Sequence, residues 1–147
     1  MNFNGKYRIQ NVLTKRFLRA TNNINSGSIL ETSEAPKAPA VFDQSYAFNV
    51  RTVTGDQARF TSSFKTLVAG VGDSGEAENT PIVWKRGGQV FEVTQVGEQD
   101  RVYNIRLTSE DDLYWFDAPA SEHPAATVVL RKGNNTDQTA WRLLPIA

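Results

Sequence analysis

The feature that most constrains this chain is an internal repeat. The segment Thr80–Gly87 (TPIVWKRG) recurs as Ala126–Gly133 (ATVVLRKG), and a weaker copy lies at Gly27–Thr32 (GSILET). Each copy leads into an aromatic strand-like segment, and these segments centre on Phe48, Phe91 and Trp141. Self-similarity at a period of about 20 to 50 residues indicates supersecondary units that bury their apolar faces against one another. The sequence therefore predicts one domain, 1–147, built from three copies at approximately 1–53, 54–97 and 98–147.

The segments between these landmarks have the pattern of β-strands. Val90–Val96 and Val102–Leu107 alternate apolar and polar residues, and Gly, Asn, Asp or Pro bound such segments throughout the chain. Similar strand-like segments follow the first two aromatic anchors. The corresponding segment for the third anchor, Tyr7–Ile9, lies at the start of the chain. The third copy is thus expected to be closed by the first strand. We predict an all-β ring with three-fold pseudo-symmetry, about four strands per copy and no free edge between copies.

The copies also predict which side chains face the common core. Three sets of equivalent inward positions are expected, and they are Ile9 with Phe60 and Ile105, Ile29 with Ile82 and Val128, and Phe48 with Phe91 and Trp141.

Composition excludes several classes of function. The chain has no cysteine, which excludes disulfides, thiolate metal sites and a thiol nucleophile. Sixteen basic residues balance sixteen acidic ones, and the basic residues are scattered, so neither nucleic acid nor an anionic membrane is an expected partner. No apolar run is long enough to cross a membrane or to act as a signal peptide. We expect a cytoplasmic protein, or one released by a non-classical route.

Several elements together resemble a known family. Asn4–Val12 is similar to the opening of a ricin-B-type repeat, Asn79–Trp84 to its middle element, and Gln89–Phe91 and Asp137–Trp141 to its closing Gln-x-Trp element. The chain thus resembles β-trefoil proteins of the ricin-B type, especially the small cysteine-free fungal lectins and the mushroom protease inhibitors of the same fold. The resemblance implies a β-trefoil with a binding function. It does not choose between lectin and inhibitor, because this fold carries both.

Nothing in the chain indicates an enzyme. The single histidine, His123, lies near Ser121 in a Pro/Ala-rich loop that provides no orienting partner. The acidic run Glu110–Asp112 lacks the ligand spacing of a calcium loop, and Gly70–Gly75 is not followed by the Lys-Ser/Thr of a phosphate cradle. No catalytic residue, metal or cofactor is expected.

Sugar binding is the first hypothesis. In the lectins that the chain resembles, an Asp follows a Leu in the second strand, an aromatic residue ends the third strand, and Asn and Gln precede the closing Trp. The third copy retains the polar part of this set and has Leu130 at the aromatic position. Its candidate ligands are Asp117, Asn134, Asn135 and Gln138, with Trp115 or His123 as a substitute platform for the sugar ring.

The other two copies are less complete. The second copy retains Trp84 and Gln89 but has Val68 where Asp is expected. Alternation along the strand leaves Trp84 either in the core or exposed at the rim. The first copy has Arg19 or Ala20 in place of Asp and Glu31 in place of the aromatic residue.

Protease inhibition is the alternative hypothesis. Ala35–Ala40 places a lone basic residue between two prolines, which hold the segment extended and lower the entropy cost of entering a protease cleft. The candidate inhibitory residues are Pro36, Lys37 and Ala38, with a cysteine protease or a trypsin-like serine protease as target. The expected partners are therefore glycans or glycoproteins, or a protease, with a homodimer as a means of strengthening weak sugar sites.

Overall fold

The computed structural model describes residues 2–36, 42–72, 75–108, 112–118, 126–133 and 137–146. Over these residues the chain forms twelve strands, four in each copy. The first copy contains β1 (Asn4–Asn11), β2 (Phe17–Arg19), β3 (Glu31–Ser33) and β4 (Phe48–Thr54). The second contains β5 (Gln57–Ser62), β6 (Val68–Val71), β7 (Ile82–Lys85) and β8 (Phe91–Gln95). The third contains β9 (Val102–Arg106), β10 (Leu113–Ala118), β11 (Ala126–Lys132) and β12 (Ala140–Pro145). Short 3₁₀ turns at Gln44–Tyr46 and Asp137–Thr139 precede β4 and β12.

Six of the strands close into a barrel. Antiparallel pairing runs from β1 to β4, β5, β8, β9 and β12, and β12 pairs back with β1. The register of the closing pair aligns Tyr7 with Pro145 and Asn11 with Trp141. The expected ring, in which the first strand completes the third copy, is therefore confirmed. A closed barrel leaves no unpaired edge among these six strands.

The other six strands form three hairpins, β2–β3, β6–β7 and β10–β11. Backbone hydrogen bonds join them and fix their equivalence. The amide of Leu30 donates to the carbonyl of Ile82 at 2.8 Å, and the amide of Val128 donates to the carbonyl of Leu30 at 3.1 Å. Leu30, Ile82 and Val128 are all fully buried, so they are the three-fold equivalents at the centre of the hairpins.

The expected core position of Ile29 is wrong. Ile29 is 41% exposed, whereas Leu30 is fully buried. Side chains alternate between the two faces of a strand, so an alignment error of one residue moves a side chain from the core to the surface. The weak first copy has two adjacent aliphatic residues, so its sequence does not decide which of them faces the core. The backbone pairing shows that Leu30 does.

The remaining core positions agree with the expectation. Ile9, Phe60 and Ile105 are fully buried, as are Phe48, Phe91 and Trp141. The core is rich in ring contacts, since Trp84 stacks on Phe48 at 5.6 Å between ring centroids. Burial of rings of this size supplies much of the hydrophobic free energy of a domain this small. Within the described residues there is no helix of the length and apolarity that a membrane span requires.

Candidate functional site

Asp117, the central ligand predicted for the third copy, lies inside the protein. Its side chain is fully buried, the hydroxyl of Thr32 donates to Oδ1 at 2.7 Å, and the hydroxyl of Thr14 donates to Oδ2. Burial raises the pKa of the Asp117 carboxyl, while the hydrogen bonds from Thr14 and Thr32 and the charge of Arg16 act in the opposite direction. The assignment of Asp117 as a sugar ligand is therefore corrected, because its side chain is fully buried and its oxygens accept from the hydroxyls of Thr14 and Thr32.

Gln138 belongs to the same internal network. Its Nε2 donates to the backbone carbonyl of Asp117 at 3.1 Å, and its backbone carbonyl accepts from Nδ2 of Asn11 at 2.8 Å. Arg16 adds a second layer by donating from Nε to the hydroxyl of Thr32 at 3.2 Å. These contacts link the first copy to the third. Asp117 and Gln138, two of the polar residues that suggested a binding site, thus join two copies of the fold.

The two predicted tryptophan platforms are also corrected. Trp115 and Trp84 are fully buried, and Trp115 lies within 6.2 Å, centroid to centroid, of the rings of Phe60, Phe91 and Trp141. A sugar outside the protein has no access to either indole.

Other predicted residues fall outside the described part of the chain. These are Asn134, Asn135 and His123 of the third copy and Lys37 and Ala38 of the inhibitory segment. Pro36 is described and is half-buried. The inhibitory hypothesis therefore stays a prediction.

The hairpin pairing shows which positions do face outward. In each hairpin one buried residue of the first strand lies opposite one buried residue of the second. These pairs are Leu18 with Thr32, Ala69 with Trp84, and Trp115 with Leu130. Because side chains alternate along a strand, the residue that follows each inward residue of β2, β6 and β10 faces outward. At this outward position the chain has Arg19, Gly70 and Phe116.

In the second and third copies a basic side chain covers this outer position. In the third copy the guanidinium of Arg131 lies 4.6 Å from the ring centroid of Phe116. In the second copy a β-carbon added at Gly70 would lie only 2.8 Å from Cδ of Lys85, whose Nζ donates to the carbonyl of Val71 at 3.1 Å. In each of these two hairpins a basic side chain thus lies over the outward position of β6 or β10.

The first copy is open at the same place. Ser33 occupies the position of Lys85 and Arg131, and it is too short to cross the hairpin. A cleft of about 650 Å³ results. Its lining combines charged, amide, hydroxyl and apolar groups, and it includes Arg19, Thr21, Asn23, Ser28, Ile29 and Glu31.

The two charged residues of this cleft are held apart by the other contacts of Arg19. Arg19 and Glu31 are directly opposite in the β2–β3 ladder, yet they form no ion pair. Nε of Arg19 donates instead to Oγ of Ser45 at 3.2 Å, and its guanidinium lies 5.3 Å from the ring centroid of Tyr46. Glu31 remains exposed, and its carboxylate accepts no hydrogen bond from any residue that the structure describes. The cleft thus presents a positioned donor and a solvated acceptor.

Ile29 supplies the apolar part of this surface. Besides the main cleft, it lines a second depression of about 390 Å³ that reaches Pro81 and Val83. Sequence reasoning treated Arg19 and Glu31 only as departures from the lectin pattern and missed the cleft between them. The available signal was the pair of charged residues on two strands of one hairpin, each next to an inward residue. No cluster of three His, Asp or Glu suited to a metal ion occurs in the described ranges.

Comparisons with known proteins support the fold. No family model matches the sequence, and no curated protein matches it. Among solved structures, the Macrolepiota procera ricin B-like lectin, in complex with lactose, is similar with a TM-score of 0.80 at 12% identity over 99% of both chains. The Rhizoctonia solani agglutinin gives 0.78 at 14% identity, over 97% of this chain and 96% of that one. The designed three-fold symmetric protein ThreeFoil gives 0.80 at 13% identity, over 97% of this chain and 99% of that one. The chain therefore has the β-trefoil fold, which these ricin B-like lectins share.

Proposed function

We propose that the protein is a non-catalytic carbohydrate-binding protein whose sugar site is the cleft of the first copy. The observation that carries this proposal is the difference between the three hairpins. Lys85 and Arg131 cover the outer face in two copies, whereas Ser33 leaves it open in the first. The predicted location in the third copy is replaced by this one.

The groups around the cleft suit a sugar. Vicinal hydroxyls pair with a carboxylate that accepts and with a guanidinium or amide that donates, and Glu31, Arg19 and Asn23 provide these groups. The C–H face of a pyranose needs an apolar surface, which the exposed part of Ile29 offers. A volume of about 650 Å³ is in the range of small-molecule sites. The Macrolepiota lectin of the same fold was solved with lactose, which supports this class of ligand.

The lining also supports binding without hydrolysis. Glycosidic bond cleavage generally needs two carboxyl groups on opposite sides of the scissile bond. Glu31 is the one carboxylate among the described residues that line this cleft.

The test is a glycan array followed by calorimetric titration of the best ligand into wild type and three variants. Glu31→Gln and Arg19→Gln each remove one charged partner, and loss of a hydrogen bond to a charged group weakens binding by about tenfold or more. Ser33→Lys introduces the side chain that covers the second copy, so it should block the cleft. Glu98→Gln, an exposed carboxylate in the β8–β9 connection, is the matched control and should bind like wild type.

Two results would contradict the proposal. One is the absence of any glycan signal together with stoichiometric inhibition of papain or trypsin by the same preparation. The other is glycan binding that survives Ser33→Lys unchanged. The proposed sugar cleft occurs once in the described part of each chain, so agglutination of cells through this cleft requires a dimer. Size-exclusion chromatography measures whether the dimer forms.

A further inference from the structure

A second surface with unusual charge lies on the barrel wall, on the outer faces of β1, β4 and β5. Asn4, Arg51 and Arg59 are aligned across the three strands, since Asn4 pairs with Arg51 and Arg51 pairs with Arg59. In the next outward row Lys6 pairs with Asn49. All five side chains are exposed. We call this set of five residues the basic wall.

The arrangement of Arg51 and Arg59 is unfavourable in the free protein. Side chains directly opposite in an antiparallel pair have β-carbons about 5 Å apart, and like charges at this distance repel. The ion pairs of the described residues join Arg101 to Asp100 and Arg106 to Glu92, so neither arginine of the wall is neutralised by a carboxylate. In a protein with equal numbers of acidic and basic residues, such a pair is not a consequence of overall charge.

The backbone turns this row of charges into a concave site. A β-bulge interrupts the β4–β5 register between Thr52 and Thr54 and leaves Val53 without a cross-strand partner. Val53 is 51% exposed and lines a cleft of about 430 Å³ together with Arg51, Arg59 and Asn49. Gly5 lines the same cleft and has no side chain to fill it. Bulges of this kind re-aim side chains beside functional sites.

We propose that the basic wall binds a tetrahedral oxyanion, a sulfate or phosphate ester, carried on a sugar or a similarly hydroxylated ligand. Two guanidinium groups on adjacent strands present several N–H donors to one oxyanion, and arginine is suited to such multidentate contacts. An anion between them converts their mutual repulsion into two attractive interactions. The amides of Asn4 and Asn49 are placed to contact hydroxyls, and Val53 offers an apolar contact to the ring that bears the ester.

The test uses galactose 6-sulfate and galactose 6-phosphate as probes, with galactose as the neutral control. Binding is followed by two-dimensional NMR, which reports the Asn4 and Asn49 side-chain amides and the Gly5 backbone amide directly. Wild type should bind at least one ester more tightly than galactose, with an affinity that falls as salt rises. The preference between the two esters identifies the source of the oxyanion.

Variants make the test specific. Arg51→Gln and Arg59→Gln should each weaken ester binding about tenfold or more, because each removes charged donors. Both should fold at least as well as wild type, since each relieves the like-charge contact. Arg86→Gln changes an exposed arginine that follows β7 and should bind like wild type.

Esters that bind no better than galactose, or equally well to both wall variants, would overturn the proposal. The site does not depend on the cleft of the first copy. Binding at the basic wall shifts the signals of Asn4, Gly5 and Asn49, whereas binding in the first-copy cleft shifts the side-chain amide of Asn23, so a failure at one site is distinguishable from a failure at the other.

Discussion

Replacing Asp117 by alanine gives the sharpest test of the internal network. In the wild type this carboxylate accepts hydrogen bonds from the hydroxyls of Thr14 and Thr32 in a fully buried environment. The variant leaves both hydroxyls without their acceptor. Each hydrogen bond to a charged group contributes about 1.5 to 3 kcal/mol to stability. Removing the carboxylate also removes the free-energy cost of burying its charge, which offsets part of this loss. We expect a net loss of about 3 kcal/mol in the free energy of unfolding.

For a domain of this size 1 kcal/mol corresponds to about 2 to 4 °C in Tm. Asp117→Ala should therefore melt roughly 6 to 12 °C below wild type in differential scanning calorimetry, with glycan binding retained below the melting temperature. Asp100→Ala is the control, since that side chain is 92% exposed and its ion pair is a surface contact that contributes little. A near-normal Tm combined with lost glycan binding would refute the structural role of Asp117 and restore the third copy as the sugar site.

The pH dependence provides an independent check on the same residue. Burial raises the pKa of Asp117 above its ordinary value of 3.8, so the folded protein holds this proton more tightly than the unfolded chain does. The contribution of the group to stability is therefore greatest at low pH and is lost as the pH rises through the raised pKa. Asp117→Asn cannot titrate at this position. The stability of wild type relative to Asp117→Asn should fall from pH 4 upward, and a rise over this interval would contradict the burial argument.

The remaining predictions concern the core, the register and one cap. Trp141→Phe should lower the free energy of unfolding in urea by about 1 to 3 kcal/mol more than Trp84→Phe does. The reason is that Nε1 of Trp141 donates to a buried carbonyl at 3.0 Å, whereas Nε1 of Trp84 has no partner among the described residues. Leu30→Ala should cost about 2 to 5 kcal/mol, and Ile29→Ala well under half of that, which urea unfolding distinguishes directly. Asp43→Ala removes the N-cap of the 3₁₀ turn Gln44–Tyr46 and should cost about 1 kcal/mol. Hydrogen bonds from the turn lower the pKa of Asp43, so this contribution is present above pH 3.8 and is lost as the pH falls through the lowered pKa.

The fold could be predicted because it is specified many times over in the chain. Three copies each contain the same order of strand, turn and aromatic anchor, so an error in one copy does not change the architecture. The position of a single side chain is specified only once. In the first copy, the choice between Ile29 and Leu30 depended on a backbone hydrogen bond to Ile82 that leaves no mark in the local sequence.

The candidate sites depend on the same kind of information. Asp117 was assigned to the ligand set because the lectins that the chain resembles have an Asp in the second strand, but the outward residue there is its neighbour Phe116. The basic wall was not predicted for a related reason. Arg51 and Arg59 are scattered in the sequence, and only the β4–β5 register brings them side by side. Residue type was readable from the chain, and the register between paired strands was not.

The pairing of β1 with β12 has a consequence for how the protein is made. Of the twelve strands described, β1 leaves the ribosome first and pairs with β12, which leaves it last, so the barrel cannot close until β12 has emerged. Until then β1 and β9 each present an unpaired edge, which is the kind of surface that recruits strands from other chains. Aggregation during synthesis should therefore increase with the time between the emergence of β9 and that of β12. A stalled chain that lacks β12 is the species most in need of a chaperone.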